Sequence, residues 1–204
     1  MVDIANGRES SLVTTTELPE RRTKHHSSNV VLPDTALSRT GPTATATRYL
    51  LAGIRLALGW IFMWAFLDKL IGLGRSTPAA SAWLDGGSPT AGFLGKAATG
   101  PFSGFYHSIA GNAVVDALFM TALVGIGAAL IIGIGMRIAA ASGVLLTVLM
   151  WTAVLPPATN PFMDDHLVYA GVLILLALLG AGTTWGLGRR WAATSLVRRN
   201  TWLT

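Results

Sequence analysis

A short polar segment, Asn160 to His166, interrupts two long apolar runs near the end of the sequence. It contains two adjacent carboxylates and an imidazole, those of Asp164, Asp165 and His166. The apolar runs on either side are each about the length that crosses a bilayer, since a spanning helix needs roughly 20 mostly apolar residues. Three ionisable groups therefore lie at a predicted membrane boundary, where such groups are solvated, cap a helix or bind a ligand.

The chemistry that these residues suit is proton transfer. Asp165 shares a helix face with Tyr169, so the pair predicts a proton or hydrogen-bond relay from the interface into the bundle. His166 suits a proton acceptor for quinone chemistry, because histidine titrates near neutral pH. The alternative is structural: Asp164 or Asp165 caps the helix and His166 is simply solvated. Adjacent helical residues point about 100° apart, so one aspartate can cap while the other takes part in chemistry.

The predicted topology brings four more ionisable residues to the same outer end. Asp68 and Lys69 end the first apolar run, Asp116 begins the second, and His107 lies in the loop between them. With residues 164–166 they form a candidate site at the outer interface, in which Asp68, His107, Asp116 and Asp164 have a supporting role. No metal is assigned to it, because adjacent ligands without a helical i, i+3 or i+4 repeat are a weak metal signal.

A second candidate surface lies within the first apolar run. Arg55, Phe62, Phe66 and Lys69 fall near one stripe at helical spacing. A buried guanidinium is costly, so Arg55 either snorkels to the interface or binds an acidic partner or a ligand. An aromatic stripe usually marks core packing, but a cationic and aromatic face also suits a flat quinone ring or an anionic lipid headgroup.

Composition identifies an integral membrane protein. Of 204 residues, 51% are hydrophobic and only 12% charged, which is too apolar for an ordinary soluble domain. The net charge is +5, and the basic residues cluster in the two tails and one short turn, a pattern that indicates membrane orientation and not nucleic acid. The chain has no cysteine, which excludes disulfides, cysteine-ligated metal, covalent haem and a persulfide intermediate. No haem, flavin or iron–sulfur motif is visible.

The predicted fold is an all-α membrane bundle of four transmembrane helices. Residues 1–47 are polar and predict a disordered cytoplasmic tail without a cleavable signal peptide. Residues 74–113 are broken by prolines and glycines and predict an extracytoplasmic loop cap with short interfacial helices. The membrane domain covers residues 48–188, and residues 189–204 form a basic cytoplasmic tail. The predicted spans are 49–73, 114–135, 138–155 and 167–185.

Basic residues set the predicted orientation. Lys and Arg next to spans are retained on the cytoplasmic side, and four spans place both tails and the turn at Arg137 on one side. Both termini are therefore predicted in the cytoplasm, with the polar segment facing outward. Glycines scattered through the spans predict packing seams, since small residues let transmembrane helices approach closely.

Five separate blocks of this sequence, in order, share a recognisable pattern. They are RLALGWIFMWAFLDKLIGLG, AWLDGGSPTAGFL, GPFSGFYH, GIGMR and PPATNPFMDDHLVYAGVLILLAL. Together they resemble the DoxX/DoxD family of small bacterial membrane proteins over about residues 48–192. The resemblance implies a membrane subunit of a quinone-linked enzyme in the cytoplasmic (inner) membrane of a bacterial cell, with quinone as a substrate and a second subunit as partner. DoxD-type members are named as a subunit of thiosulfate:quinone oxidoreductase, and other DoxX-like proteins are linked to redox-stress or respiratory assemblies.

Two functional hypotheses follow. In the first, the chain is a membrane subunit of a quinone-linked oxidoreductase, in which Asp165, His166 and Tyr169 handle protons and the Arg55 face contacts quinone or lipid. Thiosulfate is a dianion that an acidic outer site would repel, so quinone contact is favoured over thiosulfate binding by this chain alone. In the second, it is a non-catalytic accessory subunit that stabilises a respiratory or redox complex. A transporter is less favoured, because no broken span or inverted repeat is evident.

Overall fold

Long apolar runs form the helices of this protein, and glycines in the left-handed conformation end several of them. The computed structural model describes residues 41–158 and 160–203. Within these residues the regular structure is helical throughout, with no strand. The α-helices are α1 Pro42–Ile71, α2 Ser103–Ile109, α3 Ala113–Ile132, α4 Met136–Ala153, α5 Asp165–Leu178, α6 Gly188–Ala192 and α7 Ser195–Arg199.

Three helices, α1, α3 and α4, are long and apolar enough to cross a membrane. Helix α1 begins at Pro42, so residues 42–47 are helical and the predicted tail 1–47 was too long. A proline fits the first helical turn, where its missing N–H leaves no bond unmade. The predicted disorder of residues 1–40 lies outside the described residues.

The last predicted span, 167–185, is not one continuous helix. Helix α5 has 14 residues and ends at Leu178. Gly180 follows in the left-handed conformation, with φ 62°, and leads into a short 3-10 turn at Ala181–Thr183. Glycine adopts this conformation without the Cβ clash that other residues meet, so the chain leaves the helix there.

Close contacts at glycines show that the helices pack in antiparallel pairs, α1 with α3 and α4 with α5. A Cβ built on Gly127 of α3 would lie 2.9 Å from the backbone nitrogen of Met63 in α1. One built on Gly143 of α4 would lie 2.6 Å from Cδ1 of Leu173 in α5. The predicted packing seams are therefore confirmed at these positions. Gly125, by contrast, has nothing within 4 Å of such a Cβ.

The core lies between these helix pairs, and apolar side chains also cover much of the outer surface. Trp60, Leu118, Leu145 and Leu178 are among the exposed large side chains, as expected of helices that face lipid. The buried core is built around Leu58, Phe62, Met120, Leu123, Ile126, Leu130, Leu173 and Leu176.

The two ends of the bundle differ in charge. We call one the acidic end: it joins the end of α1 to the starts of α3 and α5, and it holds every carboxylate of the described residues. These are Asp68, Asp85, Asp116, Asp164 and Asp165, accompanied by Lys69, Arg75 and Lys96.

We call the other the basic end, where α3 ends, α4 begins and the chain returns after α5. It holds seven arginines and, within the described residues, no carboxylate. The arginines are Arg48, Arg55, Arg137, Arg189, Arg190, Arg198 and Arg199.

Candidate functional site

Asp164 caps helix α5, which confirms the structural alternative for this residue. Its Oδ1 accepts hydrogen bonds from the backbone N–H groups of His166, at 3.1 Å, and Leu167, at 3.4 Å. Its Oδ2 lies 2.6 Å from Nδ1 of His166. One carboxylate therefore satisfies two free amides of the helix start and also orients the imidazole, which retains 23% of its side-chain exposure.

The predicted relay through Asp165 and Tyr169 is not formed. Asp165 is exposed at the first turn of α5. Tyr169 is half-buried and packs against the core. No hydrogen bond joins the two side chains in the described part of the chain. The carboxylate that pairs with His166 is that of Asp164, because the capping geometry folds its side chain back over the first turn.

Asp68 is almost completely buried and fixes the chain that follows α1. Its carboxylate accepts hydrogen bonds from the backbone N–H of Arg75, at 3.2 Å, and from the N–H and hydroxyl of Ser76, at 3.1 and 2.6 Å. Three donors from the loop thus compensate a buried charge. Asp68 is a structural residue, and its oxygens are directed at protein donors.

Asp116, at the start of α3, also binds a loop segment through hydrogen bonds to its carboxylate. Its Oδ1 accepts hydrogen bonds from the Ser88 hydroxyl, at 3.0 Å, and from the N–H and hydroxyl of Thr90, at 3.1 and 2.5 Å. This anchors the segment between α1 and α2 against α3. His107 is also bound locally, with Nε2 2.9 Å from the carbonyl oxygen of Ala98.

The predicted outer cluster is therefore several separate local networks at one end of the bundle. Of its seven members, only Asp164 and His166 are hydrogen-bonded to each other within the described residues. No group of three or more His, Cys, Asp or Glu side chains in that part of the chain is placed to hold a metal ion.

Arg55 is fully buried and makes its contacts with backbone carbonyls. Its Nη1 donates to the carbonyl oxygens of Leu130 and Ile131, in the last turn of α3. Its Nη2 donates to those of Thr184, at 3.2 Å, and Trp185, at 2.9 Å. The guanidinium thus caps the negative end of α3 and ties it to the chain that follows α5.

The stripe of Arg55, Phe62, Phe66 and Lys69 makes packing contacts inside the bundle. Phe62 belongs to the buried core, and Phe66 packs against it. The donors of Arg55 that make hydrogen bonds face carbonyls, and Nε, which has no partner in the described structure, is buried. Lys69 is half-buried at the acidic end. Arg55 and Phe62 are buried in this structure, and contact of this face with quinone stays a prediction.

An apolar recess of the acidic half lies elsewhere. It is a cavity of about 450 Å³ between α3, α4 and the segment that precedes α3. That volume lies within the range of roughly 300–1,000 Å³ typical of ligand pockets. Its walls are almost wholly apolar and include Phe93, Leu94, Leu118, Leu145 and Leu149.

A second cavity of about 470 Å³ continues the first toward the basic end. Both are lined by Leu118, Ala122 and Ser142. The second also reaches Gly125 and ends beside Trp191. We call the two together the α3–α4 groove; it runs along the helices from one end of the bundle to the other.

Hydroxyl groups close the acidic end of the α3–α4 groove. Tyr106 is buried beside it, with its OH 3.0 Å from the carbonyl oxygen of Leu149 and 2.5 Å from Oγ1 of Thr152. Thr90, bound to Asp116, also lines this end. An amphiphile with a long apolar tail and a small polar ring matches such a recess. The resembling block GPFSGFYH contained Tyr106, but no sequence signal joined it to α4.

The α3–α4 groove is thus the site that the fold defines, an apolar recess with hydroxyls at one end. Comparisons of the chain with protein-family models, curated proteins and solved structures gave no match.

Substitution of Asp164 separates its capping role from its pairing with His166. Asparagine caps a helix as well as aspartate does, so Asp164→Asn keeps the unfolding free energy near normal, whereas Asp164→Ala lowers it by about 1 kcal/mol. Unfolding in detergent, followed by circular dichroism, gives both values. An equal loss in the two variants would show that the charge on Oδ2, and not the cap, carries the stability.

Proposed function

We propose that this chain is a four-crossing membrane subunit that binds a quinone in the α3–α4 groove and serves a quinone-linked oxidoreductase. The observation that carries the proposal is the groove itself, which is apolar along its length and bordered by hydroxyls at the acidic end. The resemblance to the DoxX/DoxD family, which is a resemblance of sequence blocks alone, points to the same class.

The fourth crossing is inferred from the pairing of α5 with α4. At about 1.5 Å per residue, α5 alone is shorter than the bilayer core of about 30 Å. Its hairpin with α4 is longer. Near the end of α4, Trp151 Nε1 donates to the carbonyl oxygen of Phe162, at 2.8 Å. Just before the start of α4, a Cβ built on Gly182 would lie 2.5 Å from the carbonyl oxygen of Gly133. The chain from 162 to 182 therefore spans the length of α4.

Non-helical backbone at membrane depth is tolerated where protein buries it. Ala181 and Gly182 are buried, which supports the short turn after α5 as the end of the crossing. The basic end then faces the cytoplasm, because arginines beside spans are retained there. The acidic end, with the segment between α1 and α3 as its cap, faces outward from a bacterial cytoplasmic membrane.

Quinone fits the groove by shape and polarity. Its isoprenoid tail suits the apolar walls of α3 and α4, and its ring lies beside Tyr106, whose hydroxyl would exchange its hydrogen bond within the protein for one to a ring carbonyl. Reduction to quinol consumes two electrons and two protons. A second subunit supplies the electrons, and the protons enter from the outer water at the acidic end. Thiosulfate, as the donor that the resemblance implies, binds the partner, since its negative charge is disfavoured beside five aspartates.

A second candidate is the non-catalytic accessory subunit, and one observation favours it. Arg55, Asp68 and Asp116 all direct their polar atoms at backbone or loop donors and acceptors. These residues build the fold and carry out no chemistry. In this alternative the groove holds a lipid chain or a helix of a larger complex, and quinone has no preferred place in it.

Single cysteines test the four crossings cleanly, because the chain has none of its own. We expect a membrane-impermeant thiol reagent to label Ala80→Cys and Ala158→Cys in intact cells and to label Ser195→Cys only after the cells are opened. All three positions are exposed. A three-crossing topology would instead expose residue 195 on the same side as 158, and labelling of Ser195→Cys in intact cells would establish it.

A pair of variants on α4 tests quinone binding. Ser142 is exposed and lines both cavities, so the ring of Ser142→Phe fills the point where the cavities meet. Ala141→Phe is the control, because residue 141 is also exposed but does not line the groove. We expect Ser142→Phe to weaken binding of decylubiquinone about tenfold or more, equivalent to ~1.4 kcal/mol, and Ala141→Phe to leave it unchanged. Titration in detergent micelles measures both dissociation constants.

The same experiment separates the two candidate functions. If the purified wild-type protein binds decylubiquinone no better than detergent micelles do, the quinone proposal is wrong and the accessory subunit is the better account. If Ser142→Phe and Ala141→Phe bind it equally, quinone binds outside the groove. Circular dichroism of each variant confirms that the helices are intact.

A further inference from the structure

The last part of the chain folds back against the basic end of the bundle. Trp191 Nε1 donates to the carbonyl oxygen of Leu203, at 2.8 Å. Arg137, at the start of α4, donates to the carbonyl oxygen of Thr201, at 3.1 Å. Val197 is buried. Residues 185–203, which we call the C-terminal foot, are therefore an ordered element beneath α4, where the sequence predicted only a basic tail.

The C-terminal foot exposes two kinds of side chain together. Trp185 and Trp202 are 62% and 61% exposed, and Leu187 and Leu196 are also open. Four exposed arginines lie among them in α6 and α7. They are Arg189, Arg190, Arg198 and Arg199.

These arginines lack carboxylate partners in the described part of the chain. Arg189 Nε donates weakly to the Thr183 carbonyl oxygen, at 3.4 Å. Every described aspartate belongs to the acidic end. Arg198 and Arg199 are therefore exposed donors with no carboxylate partner among the described residues, a surface that suits an anion.

We propose that the C-terminal foot is a binding surface for the headgroups of anionic phospholipids. Its position selects this class of anion. The foot lies beside the start of α4, a helix long and apolar enough to cross the membrane, and so at the level of the lipid phosphates. Exposed tryptophan and leucine suit the boundary between headgroups and acyl chains. Guanidinium groups bind phosphate through paired hydrogen bonds.

The inference does not depend on quinone. It rests on the charge segregation of the bundle and on the foot's contacts with α4. The protein therefore prefers a membrane whose leaflet at the basic end is anionic. Binding of the headgroups holds the foot against the bundle and fixes the depth of the protein in the bilayer. Salt weakens this preference, because the surface charges are screened over about 8 Å at physiological ionic strength.

Native mass spectrometry of the full chain tests the proposal. The protein, released from detergent micelles, is titrated with dioleoylphosphatidylglycerol or dioleoylphosphatidylcholine, which share their acyl chains and differ in headgroup charge. Each basic residue near an anionic surface strengthens binding severalfold. We therefore expect the wild type to prefer phosphatidylglycerol about tenfold or more, and Arg198→Gln with Arg199→Gln to reduce that preference to about threefold or less.

A matched variant controls for the loss of charge. Arg75→Gln with Lys96→Gln removes two exposed cations from the acidic end and should keep the full preference. Arg198→Lys with Arg199→Lys retains the charge of the foot and should keep most of it. If the double glutamine variant fails to fold, the single variants Arg198→Gln and Arg199→Gln, each expected to lose part of the preference, decide the matter.

Four outcomes would overturn the proposal. They are equal binding of the two lipids by the wild type, an unchanged preference in the glutamine variant, an equal loss in the Arg75 and Lys96 control, and a loss of preference in the folded lysine variant. Millimolar inorganic phosphate is added in a separate titration. If it displaces phosphatidylglycerol completely, the foot binds phosphate ions and not a lipid surface.

Discussion

The hydrogen bonds of Arg55 fix the arrangement on which the rest of this structure depends. Its guanidinium is fully buried, and within the described residues four carbonyl oxygens and the negative end of α3 compensate its charge. A cation in that position costs several kcal/mol when it is unpaired. Helix α1, the end of α3 and the chain after α5 are therefore held at one level. The C-terminal foot begins at Trp185, one of the residues that Arg55 holds.

The acidic end shows how a cluster of ionisable residues can serve structure. Asp68 and Asp116 each hold a loop segment through three hydrogen bonds, and Asp164 holds the start of α5. Hydrogen-bonded carboxylates of this kind rigidify the segment between α1 and α3, which forms one wall of the groove. The polar residues that border the ligand recess, Tyr106 and Thr90, are positioned by this framework. Chemistry in this account is supplied by the ligand and a partner subunit.

The sequence predicted the membrane helices well, because hydropathy and helix-ending glycines are local signals. It predicted α1, α3 and α4 to within a few residues at most of their ends, and it left open whether Asp164 or Asp165 caps α5. It did not show that α5 stops at Leu178, since residues 179–183 remain apolar. The α3–α4 groove could not be predicted from the sequence. Its walls come from α3, α4 and the segment that precedes α3, and only the folded chain brings these side chains together. Arg55 was recognised as costly, but its carbonyl partners lie some 75 to 130 residues away.

The most direct test of quinone binding in the groove is photochemical labelling. An arylazido quinone, activated by light in native membranes, would be attached to the chain and its position mapped by peptide mass spectrometry. The account predicts adducts on the groove walls, at Leu118 of α3 and Leu145 of α4, that an excess of unlabelled quinone suppresses. Adducts confined to α1 near Phe66, or to residues 165–169, or insensitive to competing quinone, would contradict it.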